Sequence, residues 1–141
     1  MSVRFYVDAD TLGLAHILCQ IRSDVTYPGD PGDPAARPPR APCPIMHPET
    51  PDPVWIPVVA RAGWLILTRD QHIRTRPAEI KAVVDNGARL VAIVASSPNE
   101  RLNNFGILEI VMINWRRIEG IESLPGPYVY TASRSGLTKV A

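Results

Sequence analysis

Two aspartates come directly after an apolar run near the start of the sequence. The stretch Phe5-Tyr6-Val7 is followed by Asp8 and, one residue later, by Asp10. Two neighbouring carboxylates repel each other, and burial makes each of them more costly unless a compensating charge is present. Such a pair at the end of a buried strand therefore predicts a site with a chemical role.

Two further acids occupy comparable positions later in the chain. Asp70 follows the apolar run "WLILT" at 64–68, and Asp52 precedes Pro53 at a helix start that leads into that run. The carboxyl ends of parallel strands meet at one edge of a sheet, so we expect these acids to converge with Asp8. We predict Asp8, Asp52 and Asp70 as catalytic residues and metal ligands, with Asp10 as a further candidate ligand.

Converging carboxylates favour a hard divalent cation with oxygen ligands, which here means Mg²⁺ or Mn²⁺. Such an ion can orient a phosphate and activate a water molecule. Each acid also has a structural alternative: Asp10 and Asp52 could cap helices, and Asp70 could belong to a turn. Asp8 is the hardest of the four to explain structurally.

Basic side chains crowd around Asp70. We predict the following substrate-binding residues there: Thr68, Arg69, His72, Arg74 and Arg76. The arginine fork matches two phosphate oxygens at once, which favours a phosphate-containing substrate. The alternative is a solvated turn whose arginines neutralise nearby acids.

The chain alternates apolar strands with helices. We predict strands at 3–7, 24–27, 64–68, 89–95 and 127–133, and helices at 11–22, 52–62, 77–86 and 98–117. The last helix would begin at a capping box, Ser97-Pro98-Asn99-Glu100. Near-continuous apolar strands that alternate with helices predict an α/β fold whose mainly parallel sheet is covered on both faces. We interpret 1–141 as one domain, with a helix and strand in its 98–141 segment.

A proline-rich segment interrupts this alternation. Eleven of the 15 prolines lie between Pro28 and Pro57, so we predict a long loop insertion at 28–51. It leads directly to Asp52, so we expect it to border the crevice. We expect the free loop to be mobile and to become ordered when a partner binds.

The composition excludes several classes of protein. The 141 residues carry a net charge of +1, so no global basic field is available for nonspecific nucleic-acid binding. The two cysteines form neither a disulfide framework nor a zinc motif. Neither a signal peptide nor an apolar membrane span is expected, so a cytoplasmic location is the default expectation.

Three segments together resemble the PIN-domain ribonucleases, and in particular their VapC-type toxins: "FYVDADTLGLAHIL", the acid at Asp52, and "GWLILTRDQHI". The resemblance covers about 3–95. It implies a three-layer α/β/α sandwich and an endoribonuclease that depends on Mg²⁺ or Mn²⁺ and is inhibited by a cognate antitoxin. Asp8, Asp52 and Asp70 match the family's acids, and Thr68 matches the hydroxyl residue of its third motif.

The sequence departs from this family at one motif position. Many relatives have a fourth acid two residues after the third, where this chain has His72. A second metal would then need Asp10 or His72 as a ligand. Glu49 is the alternative to Asp52 as the middle acid.

Two other functions remain open at this point. "DADTL" resembles the DxDxT motif of haloacid-dehalogenase-type phosphatases, in which Asp8 would be the nucleophile and Asp10 the general acid. The chain could also be a non-catalytic PIN-like protein that acts only through a partner.

The helix that includes 107–115 is apolar around most of its circumference. We predict that part of it, including Met112 and Trp115, lies in a homodimer or antitoxin interface. The alternative is a helix that is fully buried in the core.

Overall fold

The computed structural model describes residues 3–70 and 72–141. Its centre is a six-stranded sheet with the strand order β2-β1-β3-β4-β5-β6. The first five strands run parallel, and β6 pairs antiparallel with β5. The strands are β1 Phe5–Val7, β2 Val25–Thr26, β3 Leu65–Arg69, β4 Arg89–Ile93, β5 Tyr128–Ser133 and β6 Gly136–Lys139.

Helices cover both faces of this sheet. They are α1 Leu12–Ile21, α2 Asp52–Ala62, α3 Pro77–Asp85 and α4 Asn104–Glu122, with short 3₁₀ turns at Ala9–Thr11 and Ile73–Thr75. Helices α1 and α4 pack on one face, whereas α2 and α3 pack on the other. The sequence-based prediction of a three-layer α/β/α arrangement with a mainly parallel sheet is confirmed.

Burial on both faces explains why the strands are so apolar. Along β3, Leu65 and Leu67 point towards α1 and α4, while Ile66 points towards α2 and α3. All three side chains are fully buried. A strand with one solvated face would alternate apolar and polar residues, which "WLILT" does not do.

The strand order reverses at β1. The chain passes from β1 outwards to β2 and then returns to pair β3 on the other side of β1, so that Tyr6 lies opposite both Thr26 and Ile66. In open α/β sheets, ligands bind beyond the carboxyl ends of the strands at such a switch point. The residues that follow β1 and β3 therefore occupy the favoured position for a site.

The last third of the chain differs from the sequence-based prediction in two respects. Helix α4 begins at Asn104, not at 98, and it is capped by Asn103, whose side chain accepts a hydrogen bond from the Gly106 amide at 2.8 Å. The expected capping box instead forms a turn in which Glu100 accepts from the Ser96 amide and pairs with Arg134. The sequence pattern does not predict strand β6, because this strand is short and its outer residues are polar.

The proline-rich loop makes buried side-chain contacts of its own, which its composition does not predict. Asp30 is buried and accepts hydrogen bonds from Arg40 at 2.8 and 3.1 Å and from the Thr26 hydroxyl at 2.8 Å. Cys43 and Ile45 are buried in the cluster under α2 and α3. These contacts hold the loop against the core through its own side chains.

Helix α4 divides the predicted interface residues between two environments. Trp115 is only partly exposed and packs against Phe5, with the guanidinium of Arg22 4.6 Å from its ring centre. Met112 and Ile113 are 58% and 57% exposed. Trp115 therefore contributes to the core, whereas Met112 faces solvent. None of the helices in the described part of the chain is both long and apolar enough to span a lipid bilayer.

Candidate active site

All four predicted aspartates line one cleft of about 780 Å³ at the carboxyl ends of β1 and β3. Asp8 and Asp10 follow β1, Asp70 follows β3, and Asp52 is the first residue of α2. The side chain of Glu49, the alternative middle acid, is exposed and lies outside the set of residues that line the cleft.

Asp8 and Asp10 are joined through one hydroxyl group. The Oγ1 atom of Thr68 lies 3.1 Å from Asp8 Oδ2 and 2.9 Å from Asp10 Oδ2. A hydroxyl has a single hydrogen, so it cannot satisfy both carboxylates fully. Backbone amides complete the arrangement: Ala9 donates to Asp8 Oδ1 at 2.7 Å, and Arg69 donates to Asp10 Oδ1 at 3.2 Å.

The surroundings of Asp8 and Asp10 disfavour the state in which both carboxylates are ionised. Burial, together with the nearby charge of Asp10, raises the pKa of Asp8 to about 6. Burial also raises the pKa of Asp10, although the hydrogen bonds from Arg69 and Thr68 act in the opposite direction. A cation bound between the two carboxylates would relieve this penalty.

The structure does not support the alternative role of Asp10 as a helix cap. The 3₁₀ turn before α1 is capped by the side chain of Asp8, and Thr11 at the start of α1 makes no side-chain capping bond. The Asp10 carboxylate points back across the sheet edge to Thr68 and to the Arg69 amide. Asp10 is thus part of the carboxylate cluster.

Asp70 belongs to an ion-pair group that includes an acid not predicted from the sequence. Arg76 Nη1 lies 3.7 Å from Asp70 Oδ2 and 3.1 Å from Glu79 Oε1. Burial and the proximity of Asp70 raise the pKa of Glu79, while Arg76 lowers it. The sequence feature that could have identified Glu79 as a cleft residue is Pro77, which begins a helix directly after the turn that follows β3. This position places the first turn of the helix, which includes Glu79, beside the cleft.

Asp52 is oriented by a neighbour on its own helix. The indole Nε1 of Trp55 donates a hydrogen bond of 2.9 Å to Asp52 Oδ1. Trp55 is itself buried and stacks on Tyr6, with ring centres 5.0 Å apart. Asp52 is the first residue of α2, and the N-cap position before it is occupied by Pro51. Asp52 is thus not the N-cap of this helix.

The predicted substrate-binding residues are not all brought together. Arg69, His72 and Arg76 line the cleft with Thr68, and the His72 amide donates to Asp70 at 2.9 Å. Arg69 also donates to the Leu102 carbonyl at 2.8 Å. Arg74 lies outside the cleft lining and donates to Thr131 on β5.

The arrangement fits a divalent cation that retains much of its water. Within residues 3–70 and 72–141, no three His, Cys, Asp or Glu side chains are close enough together to form a ready-made metal cage. Mg²⁺ usually needs only one or two carboxylates, with water and substrate phosphates as its other ligands. The close pair Asp8–Asp10 supplies such oxygens, and Asp52 and Asp70 line the same cleft.

Two comparisons with known proteins agree with this geometry. Residues 35–95 match the family model described as "PIN like domain". A protein of Mycobacterium tuberculosis, named "Putative ribonuclease VapC45", is 28% identical over 89 residues, which cover 63% of this chain and 62% of that protein's length. No solved structure matches the chain significantly. The sheet topology and these two matches confirm that the chain has a PIN-like fold and resembles the VapC-type ribonucleases, as its aspartate pattern indicates.

Proposed function

We propose that this protein is a metal-dependent endoribonuclease of the VapC type, the toxin of a toxin–antitoxin pair. The observation that supports this function most strongly is the convergence of Asp8, Asp10, Asp52 and Asp70 in one cleft at the switch point of the sheet. The relative from Mycobacterium tuberculosis points to the same activity through its name.

The residues of the chain suggest how the reaction proceeds. Asp8, Asp52 and Asp70, with Asp10, would hold Mg²⁺ or Mn²⁺. When bound, the ion polarises the phosphodiester and lowers the pKa of the attacking water. Thr68 holds the Asp8 and Asp10 carboxylates at a fixed separation. We propose that water attacks the phosphorus directly, without a covalent intermediate on a side chain: the bond from phosphorus to the leaving ribose oxygen breaks, and that oxygen takes up the proton that the water loses.

Basic side chains at the rim position the substrate. Arg76 bridges Asp70 and Glu79, and its guanidinium can also bind a phosphate oxygen that enters the cleft. Arg69 and His72 line the same entrance. We propose that these three side chains bind backbone phosphates of RNA on either side of the scissile bond.

A cognate antitoxin would control such an activity. The carboxylate cluster is a natural target for an inserted arginine or lysine, which would supply the charge that the metal otherwise brings. The exposed residues Met112 and Ile113 on α4 offer a separate apolar surface for association. We expect the protein to act in the cytoplasm, where its RNA substrates are found.

The decisive experiment replaces single carboxylates. We expect Asp8→Asn and Asp70→Asn to lower RNA cleavage in Mg²⁺ or Mn²⁺ by at least about 100-fold, because each removes a charge from the metal site. Asp85→Asn is the matched control, since Asp85 is exposed on α3 and pairs with Lys81 at the surface. Wild-type cleavage rates in either cleft variant would contradict the proposal.

The same purified proteins also distinguish the proposed ribonuclease from the two alternative functions. A haloacid-dehalogenase-type phosphatase would hydrolyse phosphate monoesters and would not need Asp70. A non-catalytic protein would cleave neither substrate at any metal concentration. We expect cleavage of RNA, its loss in chelator, and no monoester hydrolysis.

A further inference from the structure

The backbone of α2 does not orient the carboxylate of Asp52. Asp52 is exposed in the first turn of this helix, where a carboxylate can usually accept hydrogen bonds from free backbone amides. Here Pro53 has no amide hydrogen, and the amides of Val54 and Trp55 both donate to the Pro51 carbonyl. The orientation of the Asp52 side chain therefore needs another hydrogen-bond donor.

The indole of Trp55 supplies that donor. Its Nε1 atom donates to Asp52 Oδ1 at 2.9 Å, and within residues 3–70 and 72–141 this is the one hydrogen bond that the Asp52 side chain accepts. An indole N–H can only donate, so its partner must be an oxygen atom. Oδ1 is thus occupied, whereas Oδ2 is left for the cleft that Asp52 lines.

Aromatic packing fixes the direction of this indole. Trp55 is only 4% exposed, and its ring stacks on Tyr6 with ring centres 5.0 Å apart. Trp64 also stacks on Tyr6, with ring centres 6.5 Å apart. Tyr6 belongs to β1, the strand that ends directly before Asp8. The indole therefore connects an exposed carboxylate on α2 with the strand that positions the first acid of the cleft.

We propose that Trp55 is a positioning residue that fixes which oxygen of Asp52 faces the cleft, so that Oδ2 alone is offered to the cation or to one of its water molecules. This inference rests on the proposed metal-dependent function. Without the indole, an exposed carboxylate would turn between rotamers, and the entropy lost on ordering it would weaken metal binding. Removing a partner that orients a metal ligand typically lowers metal affinity roughly 10- to 100-fold.

The first test removes the indole N–H and measures Mn²⁺ affinity by titration calorimetry without RNA. Trp55→Phe keeps an aromatic ring in the core, and we expect it to lower Mn²⁺ affinity about tenfold or more. Trp64→Phe is the matched control, because Trp64 stacks on the same tyrosine but lies outside the cleft lining. It should leave Mn²⁺ affinity unchanged. Circular dichroism verifies the folding of both variants.

Substitutions of Asp52 test the orientation itself. In Asp52→Asn, the indole N–H of Trp55 selects the amide oxygen, so the NH₂ group, which can only donate, must face the cation. We therefore expect Asp52→Asn to bind Mn²⁺ no more tightly than Asp52→Ala. Adding Trp55→Phe to Asp52→Asn lets the amide turn its oxygen towards the cleft. The double variant should then regain part of the roughly 10- to 100-fold affinity that Asp52→Asn loses.

Two results would overturn the inference. One is a Trp55→Phe substitution that lowers Mn²⁺ affinity by the same factor in the wild type and in Asp52→Asn, or not at all. The other is an Asp52→Asn protein that binds Mn²⁺ more tightly than Asp52→Ala, a comparison that is decisive even if Trp55→Phe does not fold. A wild type that bound Mn²⁺ but cleaved no RNA would contradict the ribonuclease function alone, because the affinities would still decide the role of Trp55. A wild type without Mn²⁺ affinity would contradict both.

Discussion

At the scale of single residues, the unusual feature is one hydroxyl shared by two carboxylates. Thr68 is buried on β3, and its hydroxyl is within hydrogen-bond distance of both Asp8 and Asp10. Asp8 comes from a segment 60 residues earlier in the sequence. Thr68 therefore fixes the distance between two like charges, as the proposed metal site would require.

Thr68→Val tests this role directly. The substitution preserves the shape of the side chain but removes the hydroxyl, so the carboxylates lose their common hydrogen-bond partner. We expect Mn²⁺ affinity, measured by titration calorimetry, and RNA cleavage to fall roughly 10- to 100-fold. Unchanged metal affinity in a folded variant would show that Thr68 only fills space.

Thr11→Val is the matched control for that substitution. Thr11 is also buried, and its hydroxyl oxygen has no hydrogen-bond partner among the described residues. Removing an unsatisfied buried hydroxyl should raise the free energy of unfolding by about 1 kcal/mol and leave metal affinity unchanged. Urea denaturation measures the first effect and calorimetry the second.

The raised pKa of Asp8 predicts a pH dependence of stability in chelator. The pKa is about 6 in the folded protein, against an ordinary value of 3.8, so between pH 4 and pH 6 the folded state binds more protons than the unfolded state. The free energy of unfolding attributable to Asp8 therefore falls as pH rises through this window, by at most roughly 3 kcal/mol. Asp8→Asn should gain stability relative to wild type between pH 4 and pH 7. Parallel stability profiles of the two proteins would contradict the assignment.

At the scale of elements, the sequence predicts well what depends on local or periodic signals. The apolar runs identify β1, β3 and β4, and Pro53 and Pro77 mark the starts of α2 and α3. The parallel direction of the strands then places Asp8 and Asp70 at one edge of the sheet. The four aspartates can be recognised in the sequence because they stand at strand or helix ends, where sequence position indicates spatial position.

The remaining features depend on contacts between distant segments. Asp10 resembles a cap in sequence because its partner Thr68 is 58 residues away. The sequence neighbours of Arg74 place it near the cleft, but its side chain reaches Thr131 on β5 instead. The composition of 28–51 does not reveal that Asp30 and Arg40 pair inside that loop.

Arg40→Met tests the anchoring of the proline-rich loop. The substitution leaves the Asp30 carboxylate buried without its cation, which should lower the free energy of unfolding by roughly 3 to 5 kcal/mol. Asp30→Asn combined with Arg40→Met should recover part of this loss, because no charge is then buried. Urea denaturation gives the stabilities. Fast hydrogen exchange at the Gly29 and Cys43 amides of the wild type would instead support a mobile loop.

At the scale of the whole molecule, the cleft lined by the four aspartates and the exposed part of α4 lie on different sides. The cleft opens among α2, α3 and the ends of β1 and β3, whereas α4 packs on the opposite face of the sheet. A partner bound through Met112 and Ile113 would therefore leave the cleft accessible unless it also extended around the sheet edge. Because the two surfaces are separate, inhibition of RNA cleavage and association through α4 can be measured independently.

Met112→Gln combined with Ile113→Gln tests this surface. Both side chains are more than half exposed, so the substitutions should not affect folding, whereas an interface would lose apolar contacts. We expect self-association or antitoxin binding to weaken at least about tenfold by analytical ultracentrifugation, with RNA cleavage by the free protein unchanged. Leu124→Gln, at another exposed apolar position, is the control. A wild type that stays monomeric and binds antitoxin no more tightly than the variant would contradict the prediction.

The pairing of β1 with β3, whose partners Phe5 and Leu65 are far apart in the sequence, has a consequence for synthesis in the cell. Asp8 leaves the ribosome early, but Thr68 and Asp70 follow only after about 3 to 12 seconds of further translation at ordinary rates. During that interval β1 has no β3 to pair with, and the carboxylate cluster does not exist. A nascent chain with the proposed toxin activity would consequently lack its site until β3 has been translated, which leaves time for a co-translated inhibitor to be present when the site first assembles.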